Sequence, residues 1–211
     1  IVVVAGANLD CDIVWLEETL KDLEEEEMVL LQLEIPHSTV WQAIARLHEM
    51  GKTVDAIIGF RNKELIILEE EVRACSTNLF VATDDGSNGN QGFVTDVLKA
   101  QIEAGVPYDL VIAIGPLIMM KFVTLTAKPF GVPVTVSMNP IMIDGTGMCG
   151  GCRLTLCRDG ERVTKFACVD GPDFDGYEVD FDEAMSRGRM YMPFERHAYE
   201  ATCNLFAKEA E

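Results

Sequence analysis

Short apolar runs alternate along the chain with longer segments whose apolar residues recur every three or four positions. The runs at residues 1–5, 28–33, 54–59, 79–82, 110–114 and 132–136 are four to six residues long and rich in β-branched side chains. They read as buried strands. Between them lie helical patterns. Residues 9–27 carry Ile13, Leu16, Leu20 and Leu23 on one face, and residues 36–50 carry Val40, Ile44 and Leu47 with Pro36 near the first turn. Residues 62–74, 92–104 and 115–127 complete the series. Strand and helix alternate through residues 1–138. That predicts an α/β domain, a parallel sheet with helices on both faces.

The texture changes at Asn139. From there to Gly176 the chain holds glycines and a group of cysteines but no long helical pattern. Residues 153–156 and 163–167 predict a hairpin across Arg158-Asp159-Gly160, because Asp-Gly suits a tight turn. Residues 180–207 predict a closing helical stretch broken near Pro193. A domain boundary is therefore expected near residue 138, with a second, smaller domain over 139–211.

Composition narrows the function. Of 211 residues, 48% are hydrophobic and 25% charged, enough for a real core. Asp plus Glu number 35 against 17 Lys plus Arg, a net charge of −18. Such a chain repels nucleic acid and anionic membrane surfaces. No apolar run reaches the roughly 18 residues of a membrane-spanning helix. The apolar opening at residues 1–6 has no basic region before it and an acidic helical stretch after it, so it does not read as a signal peptide. The expected compartment is the reducing cytoplasm. Four of the seven cysteines (Cys149, Cys152, Cys157 and Cys168) crowd into 20 residues. In that compartment they read as a metal or redox site.

The sharpest motif is Asp144-Gly-Thr-Gly-Met-Cys149-Gly-Gly-Cys152 followed by Cys168, a D-x4-C-x2-C-x15-C pattern. Plant-type [2Fe–2S] proteins use C-x4-C-x2-C and a distant fourth Cys, so only the first donor differs, a carboxylate for a thiolate. Glycines let such a loop turn its N–H groups toward sulfur. Zinc held by Cys149, Cys152, Cys157 and Cys168 is the competing reading. Cys11, Cys75 and Cys203 are isolated and read as small core residues.

Three further loops follow strands, where doubly wound folds bind ligands. Thr83-Asp84-Asp85-Gly86-Ser87-Asn88-Gly89 could hold a nucleotide, although composition alone favours an ordinary turn. Gly59-Phe60-Arg61-Asn62-Lys63 offers two cations to a phosphate, or merely to water. Gly115-Pro116 would allow close approach to backbone. His37, His48 and His197 are scattered. No Gly-x-Ser-x-Gly, HExxH or P-loop is present, so hydrolysis and phosphoryl transfer have no support. Seven acids run from Asp170 to Glu183. They read either as a solvated segment with a helix start or as an electrostatic docking face.

The segment Ser137-Met-Asn-Pro140-Ile-Met-Ile-Asp144-Gly-Thr-Gly-Met-Cys149-Gly-Gly-Cys152-Arg153 resembles the small flavin and iron–sulfur subunit of NADH-dependent ferredoxin:NADP oxidoreductases. It is similar also to the electron-transfer subunit of dihydroorotate dehydrogenase and to the sulfide dehydrogenase small subunit. The similarity continues through Lys165-Phe-Ala-Cys168-Val-Asp170-Gly-Pro172 and, upstream, through the three loops above. It runs from about Trp41 to Phe206, leaving residues 1–33 unmatched.

The resemblance implies a ferredoxin-reductase architecture: an FAD-binding β-barrel, a parallel α/β NAD(P)-binding domain and a carboxyl-terminal [2Fe–2S] domain. This chain has no counterpart to the barrel. In place of the glycine-rich pyrophosphate loop it reads Leu31-Gln-Leu-Glu-Ile-Pro36-His37-Ser38, without glycine. By resemblance, Asp144, Cys149, Cys152 and Cys168 are the cluster ligands. Gly59, Arg61, Thr83, Asp84, Asp85, Gly86, Gly115 and Pro116 line the nucleotide site.

The implied function is an oxidoreductase subunit. It passes electrons between a flavin or pyridine nucleotide and a larger flavoprotein or iron–sulfur partner subunit. FAD is implied by the family and NAD(P)H by the α/β domain. The alternative is a non-enzymatic iron–sulfur relay or assembly module that binds no nucleotide.

Overall fold

The computed structural model describes residues 13–21, 42, 45–47 and 49–202. The strands expected at 1–5 and 28–33, the segment 31–38, and Cys11, His37, Trp41, His48 and Cys203 lie outside them. The chain forms two compact units, Ile1–Phe93 and Val94–Glu211. The change of texture at residue 139 falls inside the second unit.

In the first unit, α1 spans Ile13–Leu20, within the expected helix, and buries Leu16 and Leu20. Strands β1 (Asp55–Phe60) and β2 (Asn78–Thr83) pair in parallel from Asp55↔Asn78 to Phe60↔Thr83. The helix expected over 62–74 is divided. A 3₁₀ turn at Lys63–Leu65 is capped by Asn62, whose side-chain oxygen accepts from the Leu65 N–H at 3.2 Å. Helix α2 then begins only at Glu69–Cys75, after Leu68 adopts a left-handed φ of 56°. The periodicity continued through this break, but Ile66 is extended and Leu68 left-handed, so the backbone leaves the helical conformation between the two pieces.

In the second unit, α3 (Val94–Glu103) and α4 (Leu117–Ala127) flank β3 (Val111–Ile114) in sequence and pack against each other. Helix α4 buries Met120, Val123, Thr124 and Ala127, one helical stripe. Strand β4 (Val134–Ser137) pairs in parallel with β3 and buries Val134 and Val136. Hairpin β5 (Arg153–Arg158) and β6 (Glu161–Phe166) turns at Asp159 and Gly160, with φ of 52° and 83°. Positive φ at both turn residues matches the right-handed twist of the strands. A short helix α5 (Ala167–Asp170) and strand β7 (Asp173–Asp175) follow.

β1 with β2 and β3 with β4 pair in parallel, as expected for residues 1–138, and β7, from the segment after residue 138, adds an antiparallel strand to β4. The alternating Asp173-Phe174-Asp175 buries Phe174 on the sheet. Helices α6 (Phe181–Gly188) and α7 (Met192–Thr202) close the described chain. The break between them precedes Pro193, which sits in the first turn of α7, where its missing N–H costs nothing.

Asp180 ties the hairpin to the closing helices. Its Oδ1 accepts from the Glu183 N–H at 2.9 Å, capping α6, and its Oδ2 meets Arg162 of β6 at 2.7 Å. These contacts, the capping bond foremost, hold its carboxyl below the ordinary value of 3.8. A depressed folded value means the stabilisation is complete above the unfolded value and is lost as pH falls through the folded one. Asp180→Asn should therefore flatten the acid limb of the stability profile, measured by urea unfolding from pH 6 downward. Gly176→Ala tests the packing: a Cβ there would lie 2.7 Å from Thr124 Oγ1 and 3.2 Å from Val136 Cγ1. Urea unfolding should show a loss of about 1–3 kcal/mol, typical of overpacking.

Candidate iron–sulfur centre

The cysteine loop leaves the sheet at the end of β4 and returns to it at β7. Met138 N donates to Pro172 O at 2.9 Å, so the excursion is closed at its neck. Within it, Asp144 organises the glycine-rich turn. Its Oδ1 accepts from the Thr146 N–H at 2.8 Å and its Oδ2 from the Cys149 N–H at 2.9 Å. These backbone donors, Thr146 first, hold the Asp144 carboxyl below its usual range. Gly145 and Gly147 take φ of 74° and 82°, a conformation other residues resist.

Cys152 and Cys168 are brought together by the hairpin rather than by the loop. Arg153 pairs with Phe166, and one step further Ala167 N donates to Cys152 O at 3.1 Å. The two sulfurs lie 3.2 Å apart, and Cys168 N donates to Cys152 Sγ at 3.5 Å. That backbone donor pulls the Cys152 thiol below its ordinary value, while the hydrogen bond to Cys152 raises the Cys168 thiol. Cys152 is 1% exposed, Cys168 is half-buried and Cys149 is exposed. Cys149 Sγ accepts from the Gly151 N–H at 3.4 Å.

Two of the four sequence-predicted donors thus touch, and the other two are linked through the Asp144 to Cys149 hydrogen bond. Among the described residues no three His, Cys, Asp or Glu side chains surround one point as they stand. The donor set nevertheless suits an iron–sulfur group: soft thiolates, backbone N–H groups on two of the sulfurs, and a glycine hinge beneath the remaining donors. Cys157 lies apart. Leu154 and Leu156 are the buried face of β5, and alternation puts Cys152 with them and exposed Cys157 on the opposite face.

The sequence reading missed the rim of the loop. Ile141, Ile143, Met148 and Val169 are all exposed, Met148 by 89%. The run Ile141-Met-Ile143 directly before Asp144 was the available signal.

The acids after Cys168, read as a free docking face or a solvated run, are largely engaged within the chain. Asp170 meets Lys165, Glu178 meets Arg158, Asp180 meets Arg162 and Asp182 meets Lys121, each within 2.8 Å. Asp175 accepts from the Tyr177 N–H.

The polar loops of the first unit lie side by side at the carboxyl ends of β1 and β2. Gly59 pairs with Ala82 and Phe60 with Thr83; Asp84 N donates to Phe60 O at 3.0 Å and Asp85 N to Arg61 O at 3.3 Å. Asp85 accepts from both the N–H and the hydroxyl of Ser87, which holds its carboxyl low. Thr83 is fully buried, with its hydroxyl 2.8 Å from Asn88 Oδ1. Gly86 follows with φ of 72°. Gly115 and Pro116 end β3 in the second unit.

The second unit of this α/β chain thus carries a cysteine hairpin beside a carboxylate-closed glycine loop. Residues 139–180 match the iron–sulfur cluster binding domain of dihydroorotate dehydrogenase B. The chain is 46% identical over 163 residues to a Thermotoga maritima protein described as a dihydroorotate dehydrogenase B electron transfer subunit homolog, covering 77% of this chain and 56% of that one. The Bacillus velezensis electron transfer subunit is 37% identical over 136 residues, 64% of this chain and 50% of its own.

An uncharacterized Clostridium beijerinckii protein is 46% identical over 178 residues, 84% of this chain and 59% of the relative. Among solved structures, a chain of the NADH-dependent reduced ferredoxin-NADP oxidoreductase, studied for flavin-based electron bifurcation, superposes with a TM-score of 0.64 at 43% identity. That match covers 79% of this chain and 58% of the other. The resemblance read from the motifs is therefore established: the chain is a homologue of these electron transfer subunits and carries their iron–sulfur domain. It spans somewhat over half the length of the Clostridium beijerinckii and Thermotoga maritima relatives.

The loop geometry makes a specific prediction. Gly145→Ala meets open space and bears only the cost of positive φ, about 1 kcal/mol. Gly147→Ala adds a contact of 2.9 Å with Val169 Cγ2. Amide exchange at Thr146 and Cys149 should accelerate in both variants, and further in Gly147→Ala.

Proposed function

We propose that this chain is the electron-transfer subunit of a flavin-dependent NAD(P)H oxidoreductase, passing electrons to or from a larger partner subunit through a [2Fe–2S] cluster. The observation that carries the reading is the Cys152–Cys168 pair built on the hairpin, with Asp144 and Cys149 hydrogen-bonded on the adjoining loop. Asp144, Cys149, Cys152 and Cys168 would hold the cluster, whose chemistry is one-electron carriage.

The chain's own residues do the rest. The β5–β6 ladder fixes two sulfurs. The glycine turn gives the other two donors freedom to close. Buried Leu154 and Leu156 exclude water beneath them, and desolvation strengthens the hydrogen bonds that tune a cluster's potential. Cys157, on the far strand face, leaves the zinc set short of its fourth thiolate.

Gly59, Arg61 and the Thr83–Gly86 turn form one polar edge, the proposed nucleotide site, with Gly115 and Pro116 ending a further strand. FAD and the pyridine nucleotide are expected as partners of the working enzyme, as in the family. The larger subunit is proposed to dock on the apolar rim of Ile141, Ile143, Met148 and Val169 rather than on the acidic run, whose charge is spent on Lys121, Arg158, Arg162 and Lys165.

Purified without oxygen, the chain should contain two irons and two sulfides, the content of a [2Fe–2S] group. Stoichiometric zinc without sulfide would sink the reading. Cys157→Ser should keep the full iron content and Cys168→Ser should lose it. Asp144→Cys should retain a cluster with a shifted midpoint potential, since a softer donor replaces the carboxylate. NADH or NADPH titration separates the two functional readings: a relay module without nucleotide binding shows no saturable response.

A further inference from the structure

We infer that Cys152 and Cys168 form a reversible redox dithiol in the cluster-free chain, closing to an intramolecular disulfide when a small disulfide oxidant is present. The bridge itself stands on geometry; its consequence for metal loading rests on the ligand reading above. The two sulfurs are 3.2 Å apart. What holds them there is the hairpin: the Arg153↔Phe166 pair and the Ala167 N–H to Cys152 carbonyl bond. Neither contact involves the glycine loop or any bound group. The pair is therefore assembled before a cluster arrives, whereas Asp144 and Cys149 depend on loop closure.

Exposure assigns the order of attack. Cys168 is half-buried and reachable, while Cys152 is 1% exposed. The Cys168 thiolate attacks oxidised glutathione, forming a mixed disulfide and releasing one glutathione thiolate. The Cys152 thiolate then attacks the Cys168 sulfur and expels the second glutathione. Two protein thiols give up two electrons and two protons, and one glutathione disulfide becomes two thiols. Cys149, the third thiol nearby, is exposed, and its sulfur already accepts from the Gly151 N–H. Closure would remove two of the four proposed donors at once, so an oxidised chain could not be loaded until it was reduced.

The test uses the full chain, freed of metal by chelation without oxygen and treated with oxidised glutathione. Peptide mapping by mass spectrometry should find Cys152 joined to Cys168, with two of the seven thiols lost. Cys149→Ser and Cys157→Ser should form the same bridge. A bridge to Cys149 in the unaltered chain, or glutathione remaining on Cys168, overturns the inference. Cobalt(II) alone then reads the donors. The reduced chain should give cobalt–thiolate absorption, and the oxidised chain should lose it until dithiothreitol is added. An oxidised chain with undiminished cobalt–thiolate bands overturns the inference. A reduced chain that binds no cobalt overturns the ligand reading instead and leaves the mapped bridge to decide this one.

Discussion

The antiparallel pairing of β7 with β4 is the constraint on which the centre depends. Residues 138–172 form an excursion that would otherwise hang on the sheet by one end. Three residue pairs, Thr135↔Asp175, Val136↔Phe174 and Ser137↔Asp173, bring both ends to one strand. Phe174 is buried on the sheet, so the closure is secured by apolar burial as well as by the ladder. A loop closed at its neck has little conformational entropy left to lose when its donors converge. The side chain missing at Gly176 serves the same end, since only glycine lets the chain pass Thr124 and Val136 at that distance.

The donors divide by their support. Cys152 directly precedes β5 and Cys168 lies in α5 just after β6, so both are placed by the ends of one two-stranded ladder. Asp144 and Cys149 stand on a turn whose shape comes from positive-φ glycines and from the Asp144 carboxylate itself. In the described arrangement that carboxylate is satisfied by two backbone N–H groups, and those bonds would have to be exchanged for it to serve as the proposed iron ligand. A carboxylate can release N–H donors to water at small net cost, because protein–water bonds replace them. An aspartate at the proposed first donor position would therefore both shape the loop and remain available to close it. A cysteine there would donate or accept weakly and leave the Thr146 and Cys149 N–H groups without so strong an acceptor.

Much of this was legible in the sequence, for a physical reason. Strand and helix positions from residue 54 to 137 follow from burial periodicity, which is local. The hairpin follows from Asp159-Gly160, whose backbone preference is local too. The D-x4-C-x2-C spacing marked the candidate site because ligand geometry would restrict the chain length between donors. What the pattern did not carry were non-local events. The return of β7 to β4 pairs residues nearly forty positions apart, and three residues of strand leave too short a period to read. The division of the 62–74 helix was hidden because it rests on the backbone at Ile66 and Leu68, extended and left-handed, which periodicity does not register. The adjacency of Phe60–Arg61 and Thr83–Asp85 depends on parallel register, which no local signal specifies.

The acidic run shows how net charge can mislead when the partners are out of sequence. Between Asp170 and Glu183 the chain carries seven acids and no base, which from sequence alone suggests a free field. The fold folds bases onto them. Arg158 and Arg162 come from the hairpin, Lys165 from its end, and Lys121 from α4. Each pair is at least partly exposed and contributes little to stability alone. Together they offset part of the segment's charge and tie it to the hairpin and to α4. The surface left around the cysteine loop is then chiefly apolar, and an apolar collar excludes water when covered, whereas an acidic one would have to be desolvated. A partner that approaches through that collar shortens the path to the sulfurs without displacing paired charge. The same collar, open to water in the isolated chain, leaves Cys149 exposed, and occupancy of that surface would therefore protect the centre as well as connect it.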